Sequence, residues 1–255
     1  MARVIKYIFY DLLRTRFVIA YTMILLCTTF VLFQLDSDSS KVILSLLNIV
    51  LIAVPLVSIV FTTIHFYNSY EFIELMLAQP VNRRVVFFGE YFAVAISLVV
   101  ACIAGIGIPS LIFRPDPAII SLLVVSVALT LVFVSLAFLA SVLTRDKARA
   151  IGIALLFWFY FALIYDGLLL WVVYNFSDYP LEKVTLALIA LNPIDLSRII
   201  MLLQLDISAL MGYTGAFYKE VFGTNLGMIF SLGVLLIWSL APVLLASRIF
   251  SRKDL

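Results

Sequence analysis

The feature that most constrains this chain is a series of six long apolar stretches, each close to the length that crosses a lipid bilayer. The hydrocarbon core of a bilayer is about 30 Å thick, so an α-helix needs roughly 20 apolar residues to cross it. The strands of a membrane barrel would instead alternate polar and apolar residues over about 10 positions. The sequence therefore predicts an all-α integral membrane protein with transmembrane helices at residues 17–35, 42–67, 91–113, 119–143, 150–175 and 227–248.

The composition agrees with a chain that has lipid as its main solvent. Of the 255 residues, 65% are hydrophobic and 13% are charged, and the mean hydropathy is +1.19. Soluble domains contain about 45–50% apolar and about 25% charged residues. The net charge of +2 is small and the basic residues are spread along the chain, which argues against nucleic-acid binding. Without a repeat or linker, residues 1–255 are predicted to form a single transmembrane domain.

The basic residues indicate how the helices are oriented. Twelve of the 17 Lys and Arg residues lie in the two terminal segments and in the second and fourth connections, which are on one side of the membrane. The other five lie on the opposite side. Because basic residues are retained in the cytoplasm, both termini are predicted to be cytoplasmic. The twelve are Arg3, Lys6, Arg14, Arg16, Arg83, Arg84, Arg145, Lys147, Arg149, Arg248, Arg252 and Lys253.

Two further segments are predicted to lie at the membrane surface. Residues 1–16 place apolar side chains on one helical face and charged ones on the other, which is typical of a helix in the plane of the membrane. In the external loop, residues 176–226, the apolar stretch 184–191 is too short to span and ends at Asn192 and Pro193. It is predicted to be a re-entrant or interfacial helix, so the external loop is partly helical.

The cytoplasmic segment 68–90 combines helix-forming residues with charges. Pro80 breaks the helix before it, and Asn82 can cap the helix that follows. The pattern favours a short helix that projects from the membrane, although an ordinary solvated loop has the same composition. The candidate contact residues of this segment are Glu71, Glu74, Pro80, Asn82, Arg83 and Arg84.

Asp166 is the one acid that the sequence places well inside an apolar stretch. An ionised Asp at mid-membrane costs roughly 2.5–3.5 kcal/mol, so the side chain should face the interior of the bundle or be protonated. It could line a substrate path or act as a coupling switch. It could equally make a structural hydrogen bond, to a tyrosine such as Tyr165 of another copy or to a serine of a neighbouring span.

The sequence offers little chemistry of its own. No Gly-rich loop is followed by Lys and Ser or Thr, so the chain lacks the phosphate-binding P-loop. The single histidine, His65, has no Cys or second His nearby in the sequence, and a metal site is not expected. Gly105 and Gly107 are predicted to allow close helix packing, with Pro109 adding a kink.

Residues 74–89, ELMLAQPVNRRVVFFG, resemble the coupling segment of ABC-2-type transporter permeases. The amphipathic start that ends with residues 11–16 is similar to the membrane-surface entry helix of the same family. The resemblance implies a permease without catalytic residues or cofactors, in which ATP and Mg are bound by a partner ATPase. It further implies a homodimer of permeases, each docking one cytoplasmic ATPase subunit, in the bacterial inner membrane.

Within that family, three places resemble the permeases that serve the maturation of nitrous oxide reductase: Asp166, residues 191–200 (LNPIDLSRII) and the end from Arg248 (RIFSRKDL). The likeness implies a role in copper-sulfur centre assembly and a periplasmic accessory protein of the NosD type. In residues 65–70, where the family commonly has an acidic, Gly-containing run, this chain reads HFYNSY. The external residues implied to meet a partner are Asn192, Pro193, Asp195 and Arg198, of which Asp195 and Arg198 either pair with each other or contact the partner.

Two other function classes stay open on the sequence. One is an ABC-2 exporter permease of another substrate. The other is an ATP-independent secondary transporter, in which intramembrane charges and inverted repeats are common. A membrane-embedded enzyme is disfavoured, because it would need paired His or acidic residues at matching depth.

Overall fold

A computed structural model describes Leu12 and residues 14–36, 38–78, 82–113, 116–176, 182–205 and 225–252, and throughout these ranges the regular structure is helical. The helices are α1 (Arg16–Leu35), α2 (Ser39–Asn68), α3 (Tyr70–Leu77), α4 (Arg83–Cys102), α5 (Ile108–Phe113), α6 (Pro117–Leu143), α7 (Lys147–Phe159), α8 (Tyr165–Asn175), α9 (Glu182–Ala190), α10 (Pro193–Gln204) and α11 (Asn225–Arg252). Short π-helical segments, Ile103–Gly107 and Tyr160–Ile164, join α4 to α5 and α7 to α8.

Six of these helical runs in the described ranges are long and apolar enough to cross a membrane, which confirms the predicted fold class. The third span, Arg83–Phe113, begins earlier than its apolar stretch, which starts at residue 91. The helix starts there because the Asn82 Oδ1 accepts a hydrogen bond from the Arg84 N–H at 3.0 Å, as a helix cap does. The first two turns of α4 therefore belong to the predicted cytoplasmic segment. The spans are α1, α2, α4–α5, α6, α7–α8 and α11.

Helix α6 lies at the centre of the bundle and packs most extensively against α2 and α11. It is apolar on all sides, which is typical of a helix surrounded by other helices. In the most apolar stretch of α6, 67% is buried inside the bundle. In the corresponding stretch of the fifth span, Lys147–Asn175, the buried share is 17%. The fifth span therefore presents most of its surface to its surroundings.

The π-helical segment of the third span lies where α1 approaches most closely. A Cβ added to Gly105 would lie 2.6 Å from the Leu25 Cβ, so this position admits no side chain without movement. The predicted close packing is confirmed for Gly105. At Gly107 an added Cβ would lie 3.5 Å from the Leu123 Cδ1, an ordinary contact, so this position has room for a methyl group.

Helices α9 and α10 form a hairpin bent by 111° between the fifth and sixth spans. We call α9 and α10 the outer hairpin. The bend falls at Asn192 and Pro193, where the sequence predicted the end of the apolar segment. Asn192 caps α10 through its Oδ1, 3.0 Å from the Ile194 N, and Pro193 occupies the first turn, where its missing N–H costs no hydrogen bond. The sequence prediction did not include the second helical arm, Pro193–Gln204.

Two sequence predictions fall outside the described residues. One is the surface helix at residues 1–16, of which the structure describes Leu12, Arg14, Thr15 and Arg16, with the Leu12 side chain fully buried. The other is Pro80, because residues 79–81 are not among those that the structure describes.

Candidate functional site

The first candidate site is the surface of α3 and the start of α4. Helix α3 is a short helix between the second and third spans, as predicted, and it is attached by Ile73, whose side chain is 1% exposed. Its other face carries Glu71, Glu74 and Leu75, all exposed, with Leu75 at 69%. The exposed face of α3 therefore combines two acids with one large apolar side chain.

Asn82, Arg83 and Arg84 are also exposed and lie at the start of α4, which contacts α3. We call Glu71, Glu74, Leu75, Arg83 and Arg84 the coupling surface. It presents two acids on one helix and two bases on the next around an apolar side chain. A surface of this kind can bind a protein partner with complementary charges. Because the inner face of α3 is packed in the bundle, a force applied to this surface reaches the helices beneath it.

The second candidate site lies at the opposite end of the bundle. The Arg198 Nη1 is 3.1 Å from the Asp166 Oδ2 and 3.1 Å from the Asp195 Oδ1, so one guanidinium binds two carboxylates. Asp166 belongs to the fifth span, whereas Asp195 and Arg198 belong to α10. We call Asp166, Asn192, Asp195 and Arg198 the outer cluster. It fastens the outer hairpin to the fifth span by charge.

Asn192 holds the outer cluster in position. Its side chain is fully buried, and its Nδ2 donates to the Asp195 Oδ2 at 2.7 Å and to the Phe161 carbonyl at 2.9 Å. The Phe161 carbonyl lies in the π-helical segment of the fifth span. A π-helical turn frees backbone carbonyls from their usual partners, and here one of them receives the Asn192 amide. The break in the fifth span and the bend of the outer hairpin are thus joined by one side chain.

A cavity of about 230 Å³ opens beside the outer cluster. Its walls are mostly apolar, with the charged groups at one edge. In the described part of the chain, no group of three or more His, Cys, Asp and Glu residues is close enough to hold a metal ion. The cavity is lined by Asp166, Leu169, Leu170, Ile189, Asp195, Arg198, Ile199 and Leu202.

The structure brings together residues that the sequence had placed in separate segments. Asp166 makes an interhelical hydrogen bond, and its partner within the chain is Arg198 rather than a serine. The Tyr165 hydroxyl donates to the Leu188 carbonyl at 2.6 Å, and a contact of Asp166 with a tyrosine of another copy stays a prediction. Of the two alternatives for Asp195 and Arg198, the structure contains the pair. Asp195 is 5% exposed, whereas the Arg198 side chain is 38% exposed.

Sequence reasoning missed one buried acid, Glu90. It lies in α4, is 2% exposed, and its Oε2 is 3.3 Å from the Nε2 of His65 in α2. The sequence contained a feature that could have identified it, namely the Asn82 cap before α4. If α4 starts there, Glu90 falls in its third turn, on the face that carries Val86 and Phe87 into the core.

Two comparisons with known proteins agree with this architecture. The chain matches the family described as ABC-2 family transporter protein over residues 48–255, which includes both candidate sites. It is also similar to a Pseudomonas aeruginosa protein described as a probable ABC transporter permease protein NosY. That relative is 28% identical over 192 residues, which cover 71% of this chain and 68% of the relative.

Proposed function

Because the chain belongs to the ABC-2 transporter family, we propose that it is a permease subunit that couples ATP hydrolysis by a partner ATPase to movement of the outer hairpin. The observation that carries the proposal is α3, a short helix with charged residues exposed on one face and Ile73 buried on the other. A partner that binds this face applies its load to α3 and, through the buried Ile73, to the helices against which Ile73 is packed.

The two candidate sites give this movement a route. Helix α3 contacts α2 and α4, and both of these pack against the central helix α6. Helix α6 in turn contacts α10 of the outer hairpin. Packed helices transmit displacement because interiors are close-packed and compress little. A load applied at the coupling surface therefore reaches the outer cluster, where a pair of charge contacts can break and re-form.

The coupling surface is tested by reversing its basic charges. In an Arg83→Glu/Arg84→Glu double variant, we expect membrane insertion to persist while ATP hydrolysis no longer drives the outer hairpin. The matched control is Arg248→Glu/Arg252→Glu, which reverses two exposed charges at the end of α11. Full function of the first variant with its partner ATPase bound as before would contradict the proposal.

The orientation of the bundle follows from the same proposal. The coupling surface must face the cytoplasm, where the ATPase and its ATP and Mg are found, and this agrees with the Lys and Arg distribution. Both termini are then cytoplasmic and the outer hairpin lies on the periplasmic side of a bacterial inner membrane. The test is labelling of a single cysteine at Ala78, which should react with an impermeant maleimide only after the membrane is opened.

A second permease copy completes the proposed assembly, together with two ATPase subunits. The fifth span supports this, because its exposed face carries large apolar and aromatic side chains, including Leu170 at 67%, Trp171 at 60% and Tyr174 at 83%. A mass measurement on the solubilised complex should give two permeases and two ATPases. A complex with one permease would contradict this stoichiometry.

For the substrate pathway, we propose a role in assembling the copper-sulfur centre of nitrous oxide reductase with a NosD-type periplasmic partner. The support is the 28% identity to the probable NosY permease. The test is expression in a strain that lacks its own such permease, with the spectrum of the reductase centre as the readout. Activity of the complex without rescue of the centre would favour the alternative of an ABC-2 exporter for another substrate. Transport without any ATPase would favour a secondary transporter.

A further inference from the structure

The end of α2 is tied by side chains to three other parts of the bundle. The Tyr67 hydroxyl lies 2.9 Å from the Thr144 Oγ1 and donates to the Ser141 carbonyl at 3.1 Å. The Lys147 Nζ donates to the Asn68 Oδ1 at 2.8 Å. His65, in the same segment, contacts Glu90 of the third span. The HFYNSY segment, residues 65–70, thus joins α2 to the third, fourth and fifth spans immediately before α3.

Glu90 is the least expected member of this network. Its side chain is 3% exposed, and its Oε1 has no hydrogen-bond partner among the described residues. A buried carboxylate with an unsatisfied oxygen costs free energy that an apolar Leu at the same place would avoid. Its one described polar contact is His65, also partly buried at 14% exposure. A costly group that makes a single contact at this junction suggests that the contact itself has a use.

His65 faces two partners with one nitrogen. Its Nε2 lies 3.3 Å from the Glu90 Oε2 and 3.3 Å from the Oγ of Ser69, the residue that precedes α3. When Nε2 carries a proton, it can donate to the Glu90 carboxylate. When it does not, it can accept from the Ser69 hydroxyl. The imidazole at the end of α2 therefore binds the third span when Nε2 carries a proton, and the residue before α3 when it does not.

We propose that His65 and Glu90 are positioning residues that tie the start of α3 to the third span and so convert displacement of α3 into movement of the bundle. This inference rests on the proposed function and adds a residue pair to it. Helix α3 is held by Ile73 on its inner face, and the His65–Glu90 contact fixes the end from which it projects. Without the contact, we expect α3 to move relative to the third span about its apolar inner face, where Phe72, Ile73, Met76 and Leu77 pack, so that less of the load is transmitted.

The test uses Glu90→Leu and His65→Phe, which remove the hydrogen-bonding groups, in the complete complex with its ATPase, reconstituted in lipid nanodiscs. A fluorophore at Leu191, exposed at the bend of the outer hairpin, reports the change produced by ATP. We expect both variants to retain the ATPase and its hydrolysis, while the ATP-dependent signal falls by about fivefold or more, as for loss of a coupling contact. The double variant should lose no more than either single one, because both remove the same contact.

The matched control is Tyr91→Phe. It removes a neighbouring buried hydrogen bond, from the Tyr91 hydroxyl to the Ser135 Oγ at 3.0 Å, on the same helix. We expect it to lower thermal stability and leave the ATP-dependent signal unchanged. The inference is overturned if both single variants give the full signal while Arg83→Glu/Arg84→Glu abolishes it, a result that leaves the proposed function standing. A wild-type complex with no ATP-dependent signal would overturn the proposed function as well. If Glu90→Leu does not assemble, His65→Phe, at the more exposed position, decides the question alone.

Discussion

Replacing Arg198 by Gln should destabilise the outer hairpin more than replacing Asp166, one of the two acids that it binds, by Asn. The Arg198 Nη1 lies 3.1 Å from a carboxylate oxygen of both Asp166 and Asp195, so its loss leaves two neighbouring carboxylates without their shared base. Loss of Asp166 instead leaves one acid and one base, and the local charge is balanced. The order of the two effects therefore follows from counting charges within the outer cluster.

The magnitude follows from burial. Exposed ion pairs contribute about 0.2–1 kcal/mol, and breaking a buried pair by removing one partner costs about 3–5 kcal/mol. The Asp195 side chain is 7% exposed, whereas those of Asp166 and Arg198 are 34% and 38% exposed. We therefore expect Arg198→Gln to cost about 2 kcal/mol and Asp166→Asn less than about 1 kcal/mol. Combining the two should recover part of the loss, because one of the unpaired carboxylates is removed.

The assay is denaturant unfolding in mixed micelles, followed by tryptophan fluorescence. Trp238 is a suitable reporter because its Nε1 donates to the Ala190 carbonyl, at the end of α9, at 3.3 Å. The reasoning is refuted if Asp166→Asn costs as much as Arg198→Gln, or if the double variant is less stable than Arg198→Gln alone.

Three further predictions follow from single contacts. Asn192→Ala should lower the free energy of unfolding by about 2–4 kcal/mol in the same assay. The reason is that the cap of α10 and the hydrogen bonds to Asp195 and Phe161 are lost together. A loss below about 1 kcal/mol would contradict this. Gly105→Val should lower stability by about 1–3 kcal/mol through its clash with Leu25, while Gly107→Ala, measured alongside, should be tolerated. Ile73→Ala should release α3, detected as faster cleavage by a protease added on its side of the membrane, and unchanged cleavage would show that Ile73 does not anchor it.

The helices were predictable because each long apolar run has one way to satisfy its backbone in lipid. The residues that cap or bend helices were predictable as well: Asn82 caps α4, and Asn192 with Pro193 marks the bend of the outer hairpin. These signals act over a few residues, so a single sequence contains them in full.

The pairings between distant residues could not be predicted, because they depend on how the helices are arranged in space. Asp166 and Arg198 are 32 positions apart and meet only because the outer hairpin bends by 111°. His65 and Glu90 are 25 positions apart on different spans. Glu90 was overlooked since its apolar stretch begins one residue later, although the helix had already started at Arg83. The π-helical segments could not be predicted either, because a short apolar run has no periodic pattern that distinguishes a π-helix from an α-helix.

The most direct test of the account is whether ATP binding at the partner ATPase moves the outer hairpin. A fluorophore at Leu191, in a chain with Cys27 and Cys102 replaced by Ser, reports the environment of the bend. We expect the fluorescence to change on adding ATP and Mg to the wild-type complex, and that change to be lost in Arg83→Glu/Arg84→Glu with the ATPase still bound. An unchanged signal in the wild-type complex, or an equal change in the charge-reversed one, would contradict it.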